Sequence, residues 1–232
     1  MNRSAVVIAG GFVVVLGLLL WGTSAVVNVA RVAIDAPVGG GPPTTGRDAY
    51  RTGQAAYQRG DLVAALAEWT KVAETDARAQ AGLGDIYLRG GSGIEADRRA
   101  AMTWYYRAAA SKNTHAEMAL GGIFAEGMGV AVDFSLSGYW YRNAGMHGIP
   151  EGAYIAAGYL EVGRGQRADA VDATAWYALA SELGHPDAAA ARDRGLATLS
   201  PVQRTLFEQR MNEFHHERRT GDATLVGPAS AR

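Results

Sequence analysis

The chain of 232 residues contains no cysteine. Disulfide bonds, thiolate zinc sites, iron–sulfur clusters, a cysteine nucleophile and cysteine lipidation are therefore excluded. Neither sign of charge is in surplus, because 22 Lys and Arg residues are balanced by 23 Asp and Glu residues. Nucleic acid is not expected as a partner, since no cationic surplus is available to release the counterions of phosphates. Apolar residues make up 48% of the chain, which is enough for a folded core.

Charge is missing altogether from the amino-terminal segment between Ser4 and Ala30. As a helix that rises about 1.5 Å per residue, this segment can cross a hydrocarbon core of roughly 30 Å. The pattern predicts a short flank at residues 1–4 and a transmembrane signal-anchor helix over residues 5–30, with Trp21 as an interfacial aromatic residue. The alternative is a cleaved secretory signal, because small residues at 23–25 could form a cleavage site.

Positive charges at the two ends of this segment predict its orientation. Arg3 and the free amine precede it, Arg31 follows it, and acidic residues have little weight in the positive-inside rule. We therefore expect a single-pass protein of the inner (cytoplasmic) membrane with its main domain on the periplasmic side. Cleavage would instead release a soluble periplasmic domain. Residues 31–47 are rich in Pro and Gly and are predicted to be a linker.

An internal repeat of 36 residues follows the linker. Each unit has a Trp–Tyr pair, an aspartate seven residues before the Trp and an alanine four residues after it. The recurring residues are Asp97, Trp104, Tyr105 and Ala108, then Asp133, Trp140, Tyr141 and Ala144, then Asp169, Trp176, Tyr177 and Ala180. The aspartates are typical helix N-caps, and glycine pairs before them mark turns. The predicted helices cover residues 79–89, 98–111, 115–126, 134–147, 151–162 and 170–183.

The units have the length of helix–turn–helix repeats, which bury their apolar faces by stacking. We predict an all-α, right-handed α-solenoid after the transmembrane helix, with the recurring tryptophans in its core. A looser, tetratricopeptide-like first unit precedes the repeats, with Trp69 lying 35 residues before Trp104. The predicted units are residues 48–78 for the first unit and residues 79–114, 115–150 and 151–190 for the three repeats.

The combined pattern LGxxY…GxG…D…WYxxAA, within residues 48–190, resembles the Sel-one-like repeat (SLR), a relative of the tetratricopeptide repeat. The resemblance implies an α-solenoid whose concave surface is lined by the first helix of each pair. It also implies a scaffold or adaptor that is not an enzyme and needs no cofactor. Two features depart from the pattern. Lys112 replaces the glycine found at Gly148 and Gly184, and the third repeat lacks the Leu-Gly pair.

The carboxyl end is predicted to cap the solenoid. Ser200, Pro201 and Gln203 have the spacing of an N-terminal capping box. An apolar stripe follows and is expected to cover the last repeat; its residues are Val202, Leu206, Phe207, Met211 and Phe214. The predicted capping region is residues 191–217, and the predicted disordered tail is residues 218–232.

Chemical motifs are scarce. No metal site is expected from the five histidines, since those in the repeats occupy unequal registers: His115, His147, His185, His215 and His216. Paired carboxylates could perform acid–base hydrolysis, and the candidates are Glu117, Glu126, Glu151 and Glu161. They are scattered at helix ends, so no catalytic residue is assigned and no small-molecule substrate is inferred.

The sequence therefore predicts a membrane-anchored protein–protein interaction scaffold that binds an unidentified protein partner on its concave face. Polar positions predicted to line that face are Gln80, Asp85, Glu117, Tyr154 and Glu161. Tyr106 and Tyr139 lie outside the repeat register and are added as exposed aromatic contacts. The alternatives left open are an envelope hydrolase that uses paired carboxylates and a purely structural component of an envelope complex.

Overall fold

A computed structural model of the chain describes residues 46–221, and this part of the chain is helical almost throughout. Its helices are α1 (Gly46–Gln58), α2 (Leu62–Thr70), α3 (Ala77–Arg89), α4 (Arg98–Ala110), α5 (Thr114–Glu126), α6 (Phe134–Met146), α7 (Pro150–Val162), α8 (Ala170–Glu182), α9 (Ala188–Thr198) and α10 (Pro201–Thr220). An isolated bridge joins Gly91 to Ile94. No helix from α1 to α10 is long and apolar enough to cross a membrane. The segment predicted to be transmembrane, residues 5–30, lies outside the described residues.

From α1 to α9 each helix packs on the next, which gives a solenoid of helical pairs α1–α2, α3–α4, α5–α6 and α7–α8. All six predicted helices are confirmed to within two residues at each end. The predicted aspartate caps are also confirmed. The carboxylates of Asp97, Asp133 and Asp169 accept hydrogen bonds from backbone N–H groups in the first turns of α4, α6 and α8. Such caps satisfy donors that have no partner inside the helix.

The turn before each following first helix needs a left-handed backbone. Gly148 and Gly184 adopt φ values of 99° and 94° there, and Lys112 adopts 58° at the equivalent position. Glycine reaches this region without steric penalty, whereas a residue with a Cβ does not. Lys112, which departs from the repeat pattern, therefore has a strained backbone in the turn between α4 and α5.

The rings of the repeats pack differently from the prediction. Tyr105 and Tyr141 are buried, whereas Trp104 and Trp140 are only half-buried. The tyrosine lies eight residues after the aspartate cap, at the position that faces the first helix of its own pair. Trp176 is buried, and its ring centroid lies 4.6 Å from that of Phe214 in α10. The prediction of a core tryptophan in every repeat is thus wrong, because only the last one is covered by a further helix.

The carboxyl end contains two helices, α9 and α10, where a single capping region was predicted. The capping box at Ser200 and Gln203 is confirmed. Phe207, Met211 and Phe214 are buried, but Val202 and Leu206 remain 73% and 49% exposed. The buried part of α10 packs against α8, and the exposed residues belong to its first two turns. Helix α10 reaches Thr220, so residues 218–220 are helical where a disordered tail was predicted.

Helix α10 also runs back along the repeats. Its His215 ring binds Glu182 at the end of α8 with an Nε2–Oε2 distance of 2.9 Å. At its carboxyl end, the Lys112 ammonium donates to the carbonyl oxygen of Gly221 at 2.7 Å. The helix therefore connects the last repeat to the turn between α4 and α5, which lies 109 residues away in sequence.

Candidate functional site

We call the side of the solenoid that carries the first helices of the pairs, α1, α3, α5 and α7, the A-helix face. A cleft of about 300 Å³ opens on it between α1, α3 and the start of α5. The residues that line this cleft are Tyr50, Gln54, Tyr57, Trp69, Arg78, Ala81, Gly82, Asp85, Asn113 and His115. A second cleft of about 270 Å³ adjoins it through Tyr57 and Asp85 and adds Leu62, Ile86, Arg89 and Gly90.

The wall of the cleft is built around Trp69. This side chain is 2% exposed and fills the space above Gly53 and Gly82, where an added Cβ would lie 2.6 Å and 2.4 Å from the indole. The Trp69 Nε1–H donates to the carbonyl oxygen of Tyr50 at 3.2 Å. The rings of Tyr50 and Tyr57 lie 6.3 Å and 5.3 Å from the indole. The two glycines thus allow a large aromatic group to support the two half-buried tyrosines.

Asp85 connects three helices at the centre of the cleft. Its Oδ1 accepts a hydrogen bond from the Tyr105 hydroxyl of α4 at 2.6 Å, and its carboxylate pairs with His115 Nε2 of α5 at 2.9 Å. The hydrogen bond with Asp85 raises the pKa of His115, against the opposing effects of burial and of Arg89. Burial and the Asp85 carboxylate also raise the pKa of Tyr105. The predicted site residue Asp85 therefore lines the cleft, and its charge is already partnered.

Two of the predicted contact residues are buried, so their assignment to an exposed face is wrong. Gln80 is 8% exposed, and its Nε2 donates to the carbonyl oxygen of Ala73 at 2.7 Å. Glu117 is 2% exposed and pairs with His147 Nδ1 at 2.8 Å. Burial raises the pKa of Glu117, and His147 opposes this shift. Both residues lie four positions after an N-cap, a register that faces the packed interior and that Ala153 occupies in α7.

The remaining predicted residues fall into two groups. Tyr154 stacks on the His185 ring at 4.0 Å, and Glu161 accepts a hydrogen bond from the Tyr177 hydroxyl at 2.7 Å; these two contacts tie α7 to α8 and the turn after it. Tyr106 and Tyr139 lie on the second helices, α4 and α6. Their rings pack 5.7 Å and 5.1 Å from that of Trp140. The seven predicted residues thus do not form one site.

Most of the cleft was missed by the sequence prediction. Tyr50, Gln54 and Tyr57 have the i, i+4, i+7 spacing of one helix stripe, and this spacing could have identified them. The Arg78 guanidinium lies 4.1 Å from the centroid of the Tyr50 ring, and it also forms a salt bridge with Asp76. Sequence spacing alone does not predict the contact between Arg78 and Tyr50, because it joins α3 to α1.

Metal or acid–base chemistry finds little support in residues 46–221. No group of three or more His, Asp or Glu side chains in this range could hold a metal ion. Of the carboxylates considered for hydrolysis, Glu117 and Glu151 pair with histidines and Glu161 with Tyr177. The arrangement favours recognition through aromatic, amide and charged groups on an open surface.

A protein-family model identifies the three repeats. Three Sel1 repeats match residues 77–113, 114–149 and 150–185. Over an aligned stretch of 104 residues, the protein is 35% identical to chitin synthase regulatory factor 3 of Schizosaccharomyces pombe; the stretch covers 41% of this chain and 11% of that protein's length. A crystal structure of a protective antigen from uropathogenic Escherichia coli with an SLR fold has 20% identity and a TM-score of 0.46, over 81% of this chain and 50% of that chain.

A solved Sel1 repeat protein from Oxalobacter formigenes gives the fuller match. It is 33% identical, with a TM-score of 0.51, over 56% of this chain and 97% of that chain. Sel1 repeat proteins are in general adaptors without enzymatic activity, and they bind protein partners. The three matched repeats and this relative show that the chain belongs to the Sel1 repeat family.

Proposed function

We propose that this protein is an adaptor that binds a segment of a partner protein along the A-helix face of a right-handed solenoid. The observation that carries the proposal is the pair of adjoining clefts between α1, α3 and α5. They combine exposed edges of tyrosine rings with an amide, a carboxylate and guanidinium groups. Such a mixture is typical of protein-recognition surfaces, which are rich in tyrosine and arginine.

Two side chains in these clefts are suited to anchor a partner. Tyr57 is half-buried, and its hydroxyl has no hydrogen-bond partner among residues 46–221. Arg89 is exposed at the end of α3 and lines the same cleft as Tyr57 and Leu62. An extended segment could place an apolar side chain on Tyr57 and Leu62 and an acidic side chain beside Arg89.

The experiment is photo-crosslinking in intact cells, with a benzophenone amino acid placed at Gln54 or Arg78, which line the first cleft. The matched control positions are Thr103 and Arg107, which lie on α4 and do not line either cleft. We expect one defined adduct from the cleft positions, and we expect Tyr57→Ala to remove it. Equal adducts from both sets of positions, or an adduct that persists in Tyr57→Ala, would contradict the proposal.

We also propose that the adaptor is held at the inner membrane by residues 5–30, with its repeats on the periplasmic side. The support is the uncharged length of that segment and the weak positive bias before it. The test is a set of fusions at Gly221 to alkaline phosphatase and to a fluorescent protein that matures only in the cytoplasm. Cytoplasmic fluorescence without phosphatase activity would overturn the periplasmic assignment, and full recovery in the soluble fraction would overturn the anchor.

A further inference from the structure

Helix α10 follows one edge of the solenoid toward its first helical pair. Its contact with the end of α8 is made by His215. Three residues later, Arg218 reaches the turn between α6 and α7, where a Cβ on Gly148 would lie 4.0 Å from the guanidinium. After three more residues, the carbonyl oxygen of Gly221 accepts a hydrogen bond from Lys112 in the turn between α4 and α5. The helix therefore passes three successive turns in the direction of α3 and α1.

The first cleft reaches this same edge of the solenoid. Two of its lining residues, Asn113 and His115, are the N-cap and the second residue of α5. A third, Arg78, lies in the first turn of α3. Lys112, which binds the carbonyl of Gly221, immediately precedes Asn113. The carboxyl end of α10 is therefore held next to the cleft.

The chain leaves helix α10 at Gly221. This residue adopts a left-handed φ of 72° and ends the helix as its C-cap. Residues 222–232 follow, beyond the described part of the chain, and their sequence is DATLVGPASAR. When extended they can span roughly 35 Å, whereas the 13 residues of α3 form a helix about 20 Å long. This segment is therefore long enough to cross the cleft from α5 to α1.

The apolar residues of the 222–232 segment match the wall of the cleft. Leu225 and Val226 are adjacent and lie four and five residues after Gly221, which corresponds to a reach of at most about 18 Å. The cleft presents the half-buried rings of Tyr50 and Tyr57. Packing the two aliphatic side chains on these rings would remove apolar surface from water on both sides of the contact.

Two other residues of the segment favour the same position. Asp222 directly follows the carbonyl group that Lys112 binds, so a negative charge of the segment comes next to a positive charge at the edge of the cleft. Pro228 restricts Gly227 before it to extended conformations and opposes helix formation. An extended strand of this kind loses less conformational entropy when it binds in a cleft.

We propose that residues 222–232 bind in the first cleft of their own chain, with Leu225 and Val226 packed on Tyr50 and Tyr57. The segment competes there with the partner segment, and this competition rests on the proposed function. Because it is tethered at Gly221, its effective concentration at the cleft is on the order of millimolar. A partner must displace it, so the segment lowers the apparent affinity of the cleft.

The test is crosslinking of the purified full-length chain with a short bismaleimide. Because the chain has no cysteine, two introduced cysteines react without a background. The test pair is Ser230→Cys with Gln54→Cys, and the control pair is Ser230→Cys with Thr103→Cys, since Thr103 is exposed on α4 and lines neither cleft. We expect the test pair to be joined within one chain about tenfold faster than the control pair.

Substitutions in the segment then identify the contact. Leu225→Ser combined with Val226→Ser should slow the joining of the test pair about tenfold, because the apolar contact is lost. Ala231→Ser is the matched control and should leave the rate unchanged. In intact cells, the same double substitution should raise severalfold the yield of the partner adduct from a benzophenone at Gln54, because the competing segment no longer fills the cleft.

Equal rates for the two cysteine pairs, no effect of the double substitution on the rate, or a product that joins only two separate chains would overturn binding of the segment. If Gln54 still gives its face-specific adduct in that case, the adaptor role stands. If the test pair is joined as expected but the double variant gives no adduct in cells, the segment binds the cleft and the adaptor role is wrong. An adduct yield that the double substitution leaves unchanged would overturn the competition.

Discussion

The first helical pair and the three repeats place an aromatic ring at the same register and use it differently. Trp69 lies eight residues after Asp61, as Tyr105, Tyr141 and Tyr177 do after their own aspartates. Trp69 therefore corresponds to the repeat tyrosines, although the sequence spacing pairs it with Trp104. The Trp69 indole is buried behind the cleft wall, whereas the repeat tyrosines each place a hydroxyl toward the A-helix face.

The difference lies in the glycines opposite each ring. Trp69 needs glycine on both neighbouring first helices, at Gly53 in α1 and Gly82 in α3. Tyr141 needs it only at Gly121, and the third repeat has Ala157 at the corresponding place, twenty residues before Tyr177. The position of a ring relative to the aspartate N-cap thus determines where the ring lies. The small residues on the facing first helices determine how closely the ring can approach those helices.

The largest expected effect compares Trp69 with Trp140. Trp69→Ala removes a side chain that is 2% exposed and packs between two first helices, so we expect a loss of about 3–5 kcal/mol in the free energy of unfolding. Trp140 is half-buried beside Tyr106, and Trp140→Ala should cost about half as much. Urea unfolding of both variants is the measurement. Equal losses would show that the two tryptophans are structurally equivalent.

The second comparison uses adjacent glycines in α5. Gly121→Ala puts a Cβ 2.7 Å from the Tyr141 ring, and such overpacking should cost about 1–3 kcal/mol. The matched control is Gly122→Ala, whose Cβ would meet the tyrosine oxygen at 3.8 Å. Alanine has the better helix propensity, so this control should be neutral or stabilising by up to about 1 kcal/mol. Chemical denaturation measures both, and a loss of stability in Gly122→Ala alone would reverse our assignment.

These glycines show how much of the molecule the sequence determines. The aspartate caps, the turns and six helices follow from spacing along one chain segment, and they were predictable. Gln80 and Glu117 were misassigned because the outward and inward registers of a small-residue helix look alike in sequence. The contacts of Asp85 with Tyr105 and His115 could not be predicted, since they depend on how three helices stack.

The third comparison concerns the turn between α4 and α5, where we expect a substitution to increase the stability of the protein by a smaller amount. Lys112 has φ 58° where the later repeats have glycine. Lys112→Gly should raise the free energy of unfolding by about 1 kcal/mol because it relieves this strain. Part of the gain is offset by loss of the hydrogen bond to Gly221. Lys112→Ala is the control, since it loses that bond and keeps the strain. Thermal unfolding would rank the three chains, and glycine below alanine would contradict the strain argument.

The smallest expected effect concerns the pH dependence of the His115–Asp85 pair. Its hydrogen bond raises the folded-state pKa of His115 above 6.5, so the pair's contribution is full below that pH and is lost as the pH rises through the raised value. The His115 side chain is 59% exposed, so we expect the contribution to stay below about 1 kcal/mol. Urea unfolding of wild type and His115→Gln on both sides of this window measures it.

The stability difference between wild type and His115→Gln should shrink as the pH rises. His216→Gln is the control, because the ring of His216 has no hydrogen-bond partner in the helices described, so this variant removes a histidine without removing a carboxylate pair. A difference that stays constant as the pH rises would mean that Asp85 is stabilised mainly by the Tyr105 hydroxyl and that His115 contributes nothing as a cation. The first repeat would then satisfy the Asp85 carboxylate with the Tyr105 hydroxyl alone.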